Sequence, residues 1–168
     1  MLEAVLLAAA PEEGCALLLG RQQGSSLAIE AIWPCLNVWV EGWPGAGPGP
    51  TDDDAAAAPS RRNRFAIDPR EQLLAQKWAR LREIEVIGSA HSHPDGGAIP
   101  SAIDRAWVLP PTLMLIRSPW PGPSGGLGAW WLPEPPDEPR RLSLDGAAEA
   151  DAQMGGVGDL GGVGDLGE

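Results

Sequence analysis

Both histidines of this 168-residue chain end one short apolar segment, IEVIGSAHSH, at residues 84–93. The segment contains several β-branched residues, and Pro94 follows it directly. This pattern predicts a buried strand that ends at the histidines. Because alternate side chains of a strand point to the same side, His91 and His93 present two imidazoles to one point. Whatever fold the chain adopts therefore has to accommodate a pair of imidazoles at the end of this strand.

The residues that follow the histidines supply a carboxylate. Asp95-Gly96-Gly97 predicts a turn, and Ser101-x-x-Asp104 is typical of a helix start with Ser101 as N-cap. Two imidazoles and one carboxylate leave the fourth position of a tetrahedral site open, which is typical of a catalytic zinc. Such a zinc lowers the pKa of its water to about 7. We therefore predict that His91, His93 and Asp104 bind Zn²⁺.

The full spacing H-x-H-x7-S-x2-D resembles the JAMM (MPN+) metalloprotease motif of the Mov34/MPN/PAD-1 superfamily, which also requires a glutamate far upstream. PEEGCALLLG at residues 11–20 is similar to the upstream segment of the compact prokaryotic type. This similarity aligns Glu13 with the glutamate and makes Glu12 its neighbour. NRFAIDPRE at residues 63–71 also resembles the family, so the resemblance covers most of residues 1–132.

The resemblance implies a role for each site residue. His91, His93 and Asp104 would bind zinc, while Glu13 would act as general base toward the attacking water and then as general acid to the leaving amine. Ser101 would help to hold the oxyanion of the tetrahedral intermediate. Amide hydrolysis needs a nucleophile, a proton carrier and charge stabilisation, and each requirement has a candidate here.

The resemblance also implies the fold and the activity. The family fold is α/β, a mixed and curved β-sheet flanked by helices in the MPN/JAB and cytidine-deaminase layout. The implied activity is that of a zinc metallopeptidase or isopeptidase. Compact prokaryotic relatives are linked to ubiquitin-like sulfur-carrier proteins of the ThiS/MoaD kind. The implied protein substrate is therefore a peptide or isopeptide bond at the C-terminal Gly-Gly of such a protein.

Four other hypotheses are compatible with parts of the sequence. The strongest non-enzyme alternative is a metal-free MPN scaffold for protein interactions, although such degenerate members lose ligands and all five positions are filled here. A cysteine protease based on Cys15 would leave the histidine spacing unexplained. Amidohydrolase and PHP-type enzymes recruit further histidines, which this chain lacks. RadC-type proteins carry a related motif but usually add an N-terminal helical domain.

The rest of the pattern predicts an α/β element order. A helix is expected first, over residues 3–13, and it should end near Pro11 and Gly14. The strands are expected at 15–22, 26–40 with an interruption at Pro34, 112–118 and 127–133.

The clearest helix begins near residue 68. Asp68 is a suitable N-cap, Pro69 fits the first helical position, and Glu71 would complete a capping box. The apolar residues that follow at helical spacing are Leu73, Leu74, Trp78 and Leu81. We expect them to form the buried face of this helix.

Two low-complexity segments frame the predicted domain of residues 1–144. Residues 42–60 are rich in Gly, Pro, Ala and Asp and predict a loop insertion. The segment 145–168 is acidic and rich in glycine, and it contains GGVGDL twice. Because this tail has little apolar content, we expect it to be disordered.

Charge and composition exclude several partners. The net charge is −11, and because six acidic residues lie in 145–168, residues 1–144 carry about −5. Nucleic acid is not an expected partner, because phosphates favour clustered Lys and Arg.

The apolar run that opens the chain lacks a basic start and is too short to span a membrane. With only Cys15 and Cys35, the expected compartment is the cytoplasm.

Overall fold

The computed structural model describes residues 1–43, 58–120, 126–145 and 162–163. Most of the low-complexity loop and nearly all of the predicted disordered tail therefore lie outside the described residues. The elements are α1 (Leu2–Leu7), β1 (Cys15–Gln23), β2 (Ser26–Cys35), α2 (Pro69–Arg80), β3 (Glu85–Ser92), α3 (Ala102–Trp107), β4 (Thr112–Arg117), β5 (Leu127–Leu132), β6 (Arg140–Leu142) and β7 (Gly162–Val163). No helix of these ranges is long and apolar enough to cross a membrane.

The strands form one mixed sheet in the order β6-β5-β4-β3-β1-β2-β7. Only β3 and β4 are parallel, and every other neighbouring pair is antiparallel. The predicted α/β fold with a mixed sheet flanked by helices is thereby confirmed. The predicted histidine strand is β3, and it lies between β1 and β4 near the centre of the sheet.

Alternating side chains of β1 divide the core into two layers. Leu18 packs with Leu2 and Leu6 of α1 on one face of the sheet. Leu17 and Leu19 point to the other face and pack against α2. This second face is the one that carries the histidine site, because Leu17 is in register with Ser89, two residues before His91.

The helix predicted after residue 68 exists, but three of the four residues predicted for its buried face are exposed. The leucines expected in the core are more than half exposed: Leu73 55%, Leu74 51% and Leu81 83%. Ala75 and Ala79 are fully buried instead, and Trp78 packs beside them. Leu17 and Leu19 already project from the sheet, so the helix approaches it through its smallest side chains.

The N-terminus of α2 differs from the prediction in one detail. Asp68 is the N-cap, and its carboxylate accepts a hydrogen bond from the Arg70 amide at 2.8 Å. Glu71 does not complete a capping box. Its carboxylate accepts a hydrogen bond from Nε1 of Trp33 on β2 at 3.0 Å, so it ties the helix to the sheet.

Two other boundaries differ from the sequence-based expectation. α1 ends at Leu7 rather than near residue 13, and turns occupy most of residues 8–12. β2 continues through Pro34, which is in register with Ala16 of β1, and it ends at Cys35 rather than at residue 40. No other described strand pairs with this end of β2, and an edge position tolerates a residue that has no N–H to donate.

Candidate metal centre

The pairing of β1 with β3 brings Glu13 to the histidines. Cys15 is in register with His91 in this antiparallel pair. One residue further, the Ser92 amide donates to the Gly14 carbonyl at 3.0 Å, and the Gly14 amide donates to Ser92 Oγ at 2.8 Å. Glu13 is therefore fixed beside the end of β3, although it lies far away in sequence.

A capping box at the start of α3 orients Asp104. The Asp104 amide donates to Ser101 Oγ at 3.1 Å, and the Ser101 amide donates to Asp104 Oδ2 at 2.7 Å. The two carboxylate oxygens then face the two imidazoles. Oδ1 lies 3.3 Å from His91 Nε2, and Oδ2 lies 3.3 Å from His93 Nε2. The structure thus brings together the three residues that the sequence predicted as metal ligands.

These three side chains fit a metal ion. Their ligand atoms all lie within 4.8 Å of one another, and the two Nε2 atoms are 2.8 Å apart. Zinc bonds of about 2.0–2.1 Å in a tetrahedron separate ligand atoms by about 3.3 Å, which is close to the spacing found here. His93 Nδ1 donates to the Gly97 carbonyl at 2.8 Å, which leaves the Nε2 lone pair free for a metal. Two ring nitrogens this close require a proton or a cation between them.

The pKa shifts of His91 and Asp104 favour the forms that bind a metal, whereas that of His93 favours the protonated ring. Burial lowers the pKa of His91, which favours the neutral imidazole that a metal requires. Burial also acts to lower the pKa of His93, but the hydrogen bond and charge of Asp104 outweigh it and raise that pKa. Burial opposes ionisation of Asp104, but both histidines outweigh it and hold the pKa of this carboxyl well below its usual range.

The carboxyl group of Glu13 is buried beside the ligand cluster. It is 5% exposed, and burial, assisted by the charge of Asp104, raises its pKa to about 9, while Arg64 opposes this rise. Both Glu13 and Asp104 line a cavity of about 760 Å³, to which residues of α2 and α3 also contribute. The environment of Glu13 therefore favours a carboxyl that can hold a proton at neutral pH.

Ser101 has its hydroxyl oxygen engaged in the capping box, where it accepts from the Asp104 amide. The hydroxyl proton takes no part in that bond, so it can still be donated. The role of Ser101 toward an oxyanion therefore stays a prediction, and the structure adds a positioning role for the same side chain.

Cys15 has the wrong environment for a nucleophile. It is 1% exposed, and burial, assisted by the nearby Cys35 and Glu13, raises the pKa of its thiol to about 12. Its sulfur donates to the Cys35 carbonyl at 3.7 Å and to no imidazole among the described residues. These contacts argue against the cysteine protease hypothesis.

Sequence reasoning missed Asn37, which holds the loops around the site together. Its Oδ1 accepts from the amides of Trp39 at 3.1 Å and Ala66 at 3.2 Å. Its amide nitrogen donates to three carbonyls: Glu13 at 3.1 Å, Arg61 at 3.4 Å and Arg64 at 2.9 Å. Nothing in the sequence marks this residue, because asparagine is common in any loop.

Two more residues at the site lacked a sequence signal of their own. Phe65 stacks on the imidazole of His91. Arg64 is buried and lines the same cavity as Glu13. Both lie in the segment that resembles the JAMM family, but no periodicity or spacing distinguishes them from ordinary loop residues.

Comparison with known proteins gives a family. The family described as prokaryotic homologs of the JAB domain matches residues 3–133. A solution structure of a Desulfitobacterium hafniense protein is similar, with a TM-score of 0.61 and 28% identity over 83% of this chain and 82% of that one. A Salinibacter ruber protein has a TM-score of 0.55 and 26% identity over 90% of both chains. No curated protein sequence gives a significant match. The match over residues 3–133 and the convergence of His91, His93 and Asp104 lead to one conclusion: the chain belongs to the prokaryotic JAB-domain family.

Proposed function

We propose that this protein is a zinc-dependent peptidase or isopeptidase. The observation that supports the proposal is the buried Glu13 carboxyl, which lines one cavity together with Asp104 of the two-histidine, one-carboxylate cluster. A zinc ion held by these ligands would supply Lewis-acid activation of water and of the substrate carbonyl.

Glu13 carries the proton in this proposal. With a zinc cation bound to the nearby ligands, Glu13 would ionise, and its carboxylate would accept a proton from the attacking water, whose oxygen forms a bond to the carbonyl carbon while the C=O double bond opens to an oxyanion. The C–N bond then breaks, and Glu13 delivers the proton to the departing nitrogen, so that one amide and one water give an acid and an amine. Ser101, at the N-cap of α3, would donate a hydrogen bond from its hydroxyl group to the oxyanion.

The proposed substrate is a protein with a flexible C-terminus. The family resemblance points to ubiquitin-like sulfur carriers of the ThiS/MoaD kind, which end in Gly-Gly. A cavity of about 760 Å³ has room for a few residues of such a C-terminus.

A pair of glutamine variants tests the mechanism. Glu13→Gln keeps the size of the side chain but cannot carry the proton, so turnover should fall by about 10²–10⁴-fold while zinc remains bound. Glu12→Gln is the matched control, because Glu12 is half exposed and faces Arg61 at 3.8 Å. The measurements are zinc content and mass-spectrometric cleavage of a sulfur-carrier protein extended beyond its Gly-Gly.

Three results would contradict the proposal. If Glu12→Gln alone lost activity, the catalytic acid would be Glu12 and not Glu13. Equal activity in both variants would remove Glu13 from the mechanism. A purified wild-type protein that holds no zinc and cleaves no peptide would support the rival hypothesis of a metal-free scaffold.

A further inference from the structure

The tail that the composition predicts to be disordered contains one described strand, β7. Its residues Gly162 and Val163 pair antiparallel with β2, and Val163 is in register with Leu27. β2 would otherwise be the edge of the sheet, and an open edge offers unpaired backbone amides and carbonyls to the strands of other chains. The tail therefore meets the folded body of the protein at a defined place.

The same chain is long enough to supply this strand. β6, the last strand before the tail, lies at the opposite edge of the sheet, six strand spacings from β7. At about 4.8 Å for each spacing, this distance is about 29 Å. The 16 residues between Asp145 and Gly162 can span up to about 55 Å at about 3.4 Å per residue, so they can pass around the body. A tether of this kind gives the tail an effective concentration on the order of millimolar at its site.

A group of exposed basic residues lies where α2 ends. We call Lys77, Arg80 and Arg82 the basic end of α2, because the first two lie in its last turn and the third follows its C-cap. The guanidinium of Arg82 lies 3.8 Å from the centroid of the Trp78 ring. Trp78 in turn contacts Trp33 of β2, with ring centroids 6.0 Å apart. Arg82 is therefore on the side of the helix that faces β2.

Strand register places the basic end of α2 at the same end of the sheet as β7. Glu85, the first residue of β3, is in register with Gly20 of β1, which is in register with Ile29 of β2. Ile29 follows Ala28, which pairs with β7. The turn that joins α2 to β3 and carries Arg82 therefore lies at the end of the sheet where β7 pairs.

The charges of the two segments are complementary. In the part of the chain that the structure describes, no carboxylate forms an ion pair with the basic end of α2. The segment 145–168 contains six acidic residues and neither Lys nor Arg. Two of these acids, Asp159 and Asp165, come three residues before and two residues after β7. We propose that the tail docks on the edge of β2 as an added strand and is held there by ion pairs with the basic end of α2.

Hydrogen exchange of the full-length protein, followed by mass spectrometry, tests this docking. The signal is the exchange rate of the amides in residues 26–35, which form β2. Residues 127–132, in the other half of the sheet, report any change in global stability. Gly162→Pro with Val163→Pro removes both backbone N–H groups of β7, so exchange in β2 should become faster while exchange in β5 stays the same.

A second pair of changes tests the ion pairs. Arg80→Gln with Arg82→Gln should speed exchange in β2 by about three- to tenfold, the range expected for the loss of two exposed ion pairs. Asp159→Asn with Asp165→Asn should give the same increase. All four changes together should add little to either pair, because both pairs remove the same contacts.

The matched control is Arg62→Gln with Arg70→Gln. It removes the same two charges from exposed ion pairs with Asp95 and Asp68, and it should leave exchange in β2 unchanged. Raising the salt concentration from about 0.01 M to about 1 M shortens the Debye length from about 30 Å to about 3 Å. The wild-type protein at high salt should therefore exchange as fast as the variant without Arg80 and Arg82.

Three results would overturn the proposal. Unchanged exchange in β2 of the double-proline variant would show that the tail does not dock on this edge. Exchange that slows as the protein concentration rises, together with a dimer in light scattering, would assign the added strand to a second copy of the chain. If the proline variant exchanges faster but both charge variants match the control, strand pairing alone holds the tail and the ion pairs are excluded.

Discussion

The ring of Phe65 lies on the imidazole of His91, with ring centroids 4.6 Å apart and planes inclined by 24°. Nδ1 of His91 is buried and has no hydrogen-bond partner among the described residues. Metal-binding histidines are usually oriented by a hydrogen bond from the second ring nitrogen. Here the stacked Phe65 takes over that orienting role, as a positioning residue for His91.

Phe65→Ala should therefore weaken zinc binding by about 10–100-fold, the usual effect of losing an orienting contact. Competition with a chromophoric chelator measures this affinity. Ile67→Ala is the control, because Ile67 belongs to the same segment but packs against the cluster beneath α2. It should lower stability and leave zinc affinity near the wild-type value. An equal loss of affinity in both variants would mean that the segment, and not the stacking, supports the metal.

Removal of any one ligand should remove the metal. His93→Ala or Asp104→Asn leaves two protein ligands and should reduce zinc content from about one per chain to nearly none, as measured by elemental analysis. Asp95→Asn changes an exposed carboxylate close to the same site, one that pairs with Arg62, and should retain the zinc. Full zinc occupancy in His93→Ala would show that the ligand assignment is wrong.

Asn37→Ala should destabilise the whole region around Glu13. The change leaves backbone carbonyls and amides of three loop segments without their partner, at about 1–3 kcal/mol for each group that water does not reach. Asn63→Ala removes only bonds within residues 58–63 and should cost about 1 kcal/mol or less. Urea unfolding curves compare the two variants. Equal midpoints would show that the Asn37 network contributes little to stability.

Both thiols should be inert in the folded protein. Burial raises the pKa of Cys15 to about 12 and that of Cys35 to about 11. Only the thiolate reacts, so at pH 8 Cys15 should alkylate about a thousandfold more slowly than a free cysteine with a pKa of 9.0. Mass spectrometry after iodoacetamide treatment, with and without urea, measures the difference. Cys15→Ser should keep its activity, and an inactive but folded variant would revive the cysteine protease hypothesis.

Local pattern determined the elements that hold the metal ligands. A two-residue period places His91 and His93 on one side of β3, and S-x-x-D at a helix start places Asp104 beside its cap, Ser101. These relationships involve neighbours in sequence, so strand and helix geometry alone produces them. The upstream Glu13 was located by family resemblance, because nothing in its own neighbourhood defines its distance from the histidines.

Tertiary structure decided which side chains meet across long sequence separations. Ala75 and Ala79 form the buried face of α2 in place of the predicted leucines, because leucines of β1 already fill the space beneath the helix. The stacking of Phe65 on His91 depends on where the segment before α2 lies relative to the end of β3. So does the burial of Arg64 next to Glu13, which Asn37 fixes through two backbone carbonyls. The sequence by itself therefore determined the metal ligands and the elements that hold them. Packing between distant segments decided which residues surround the ligands, because a hydrophobic pattern shows that a face is buried but not which other segment covers it.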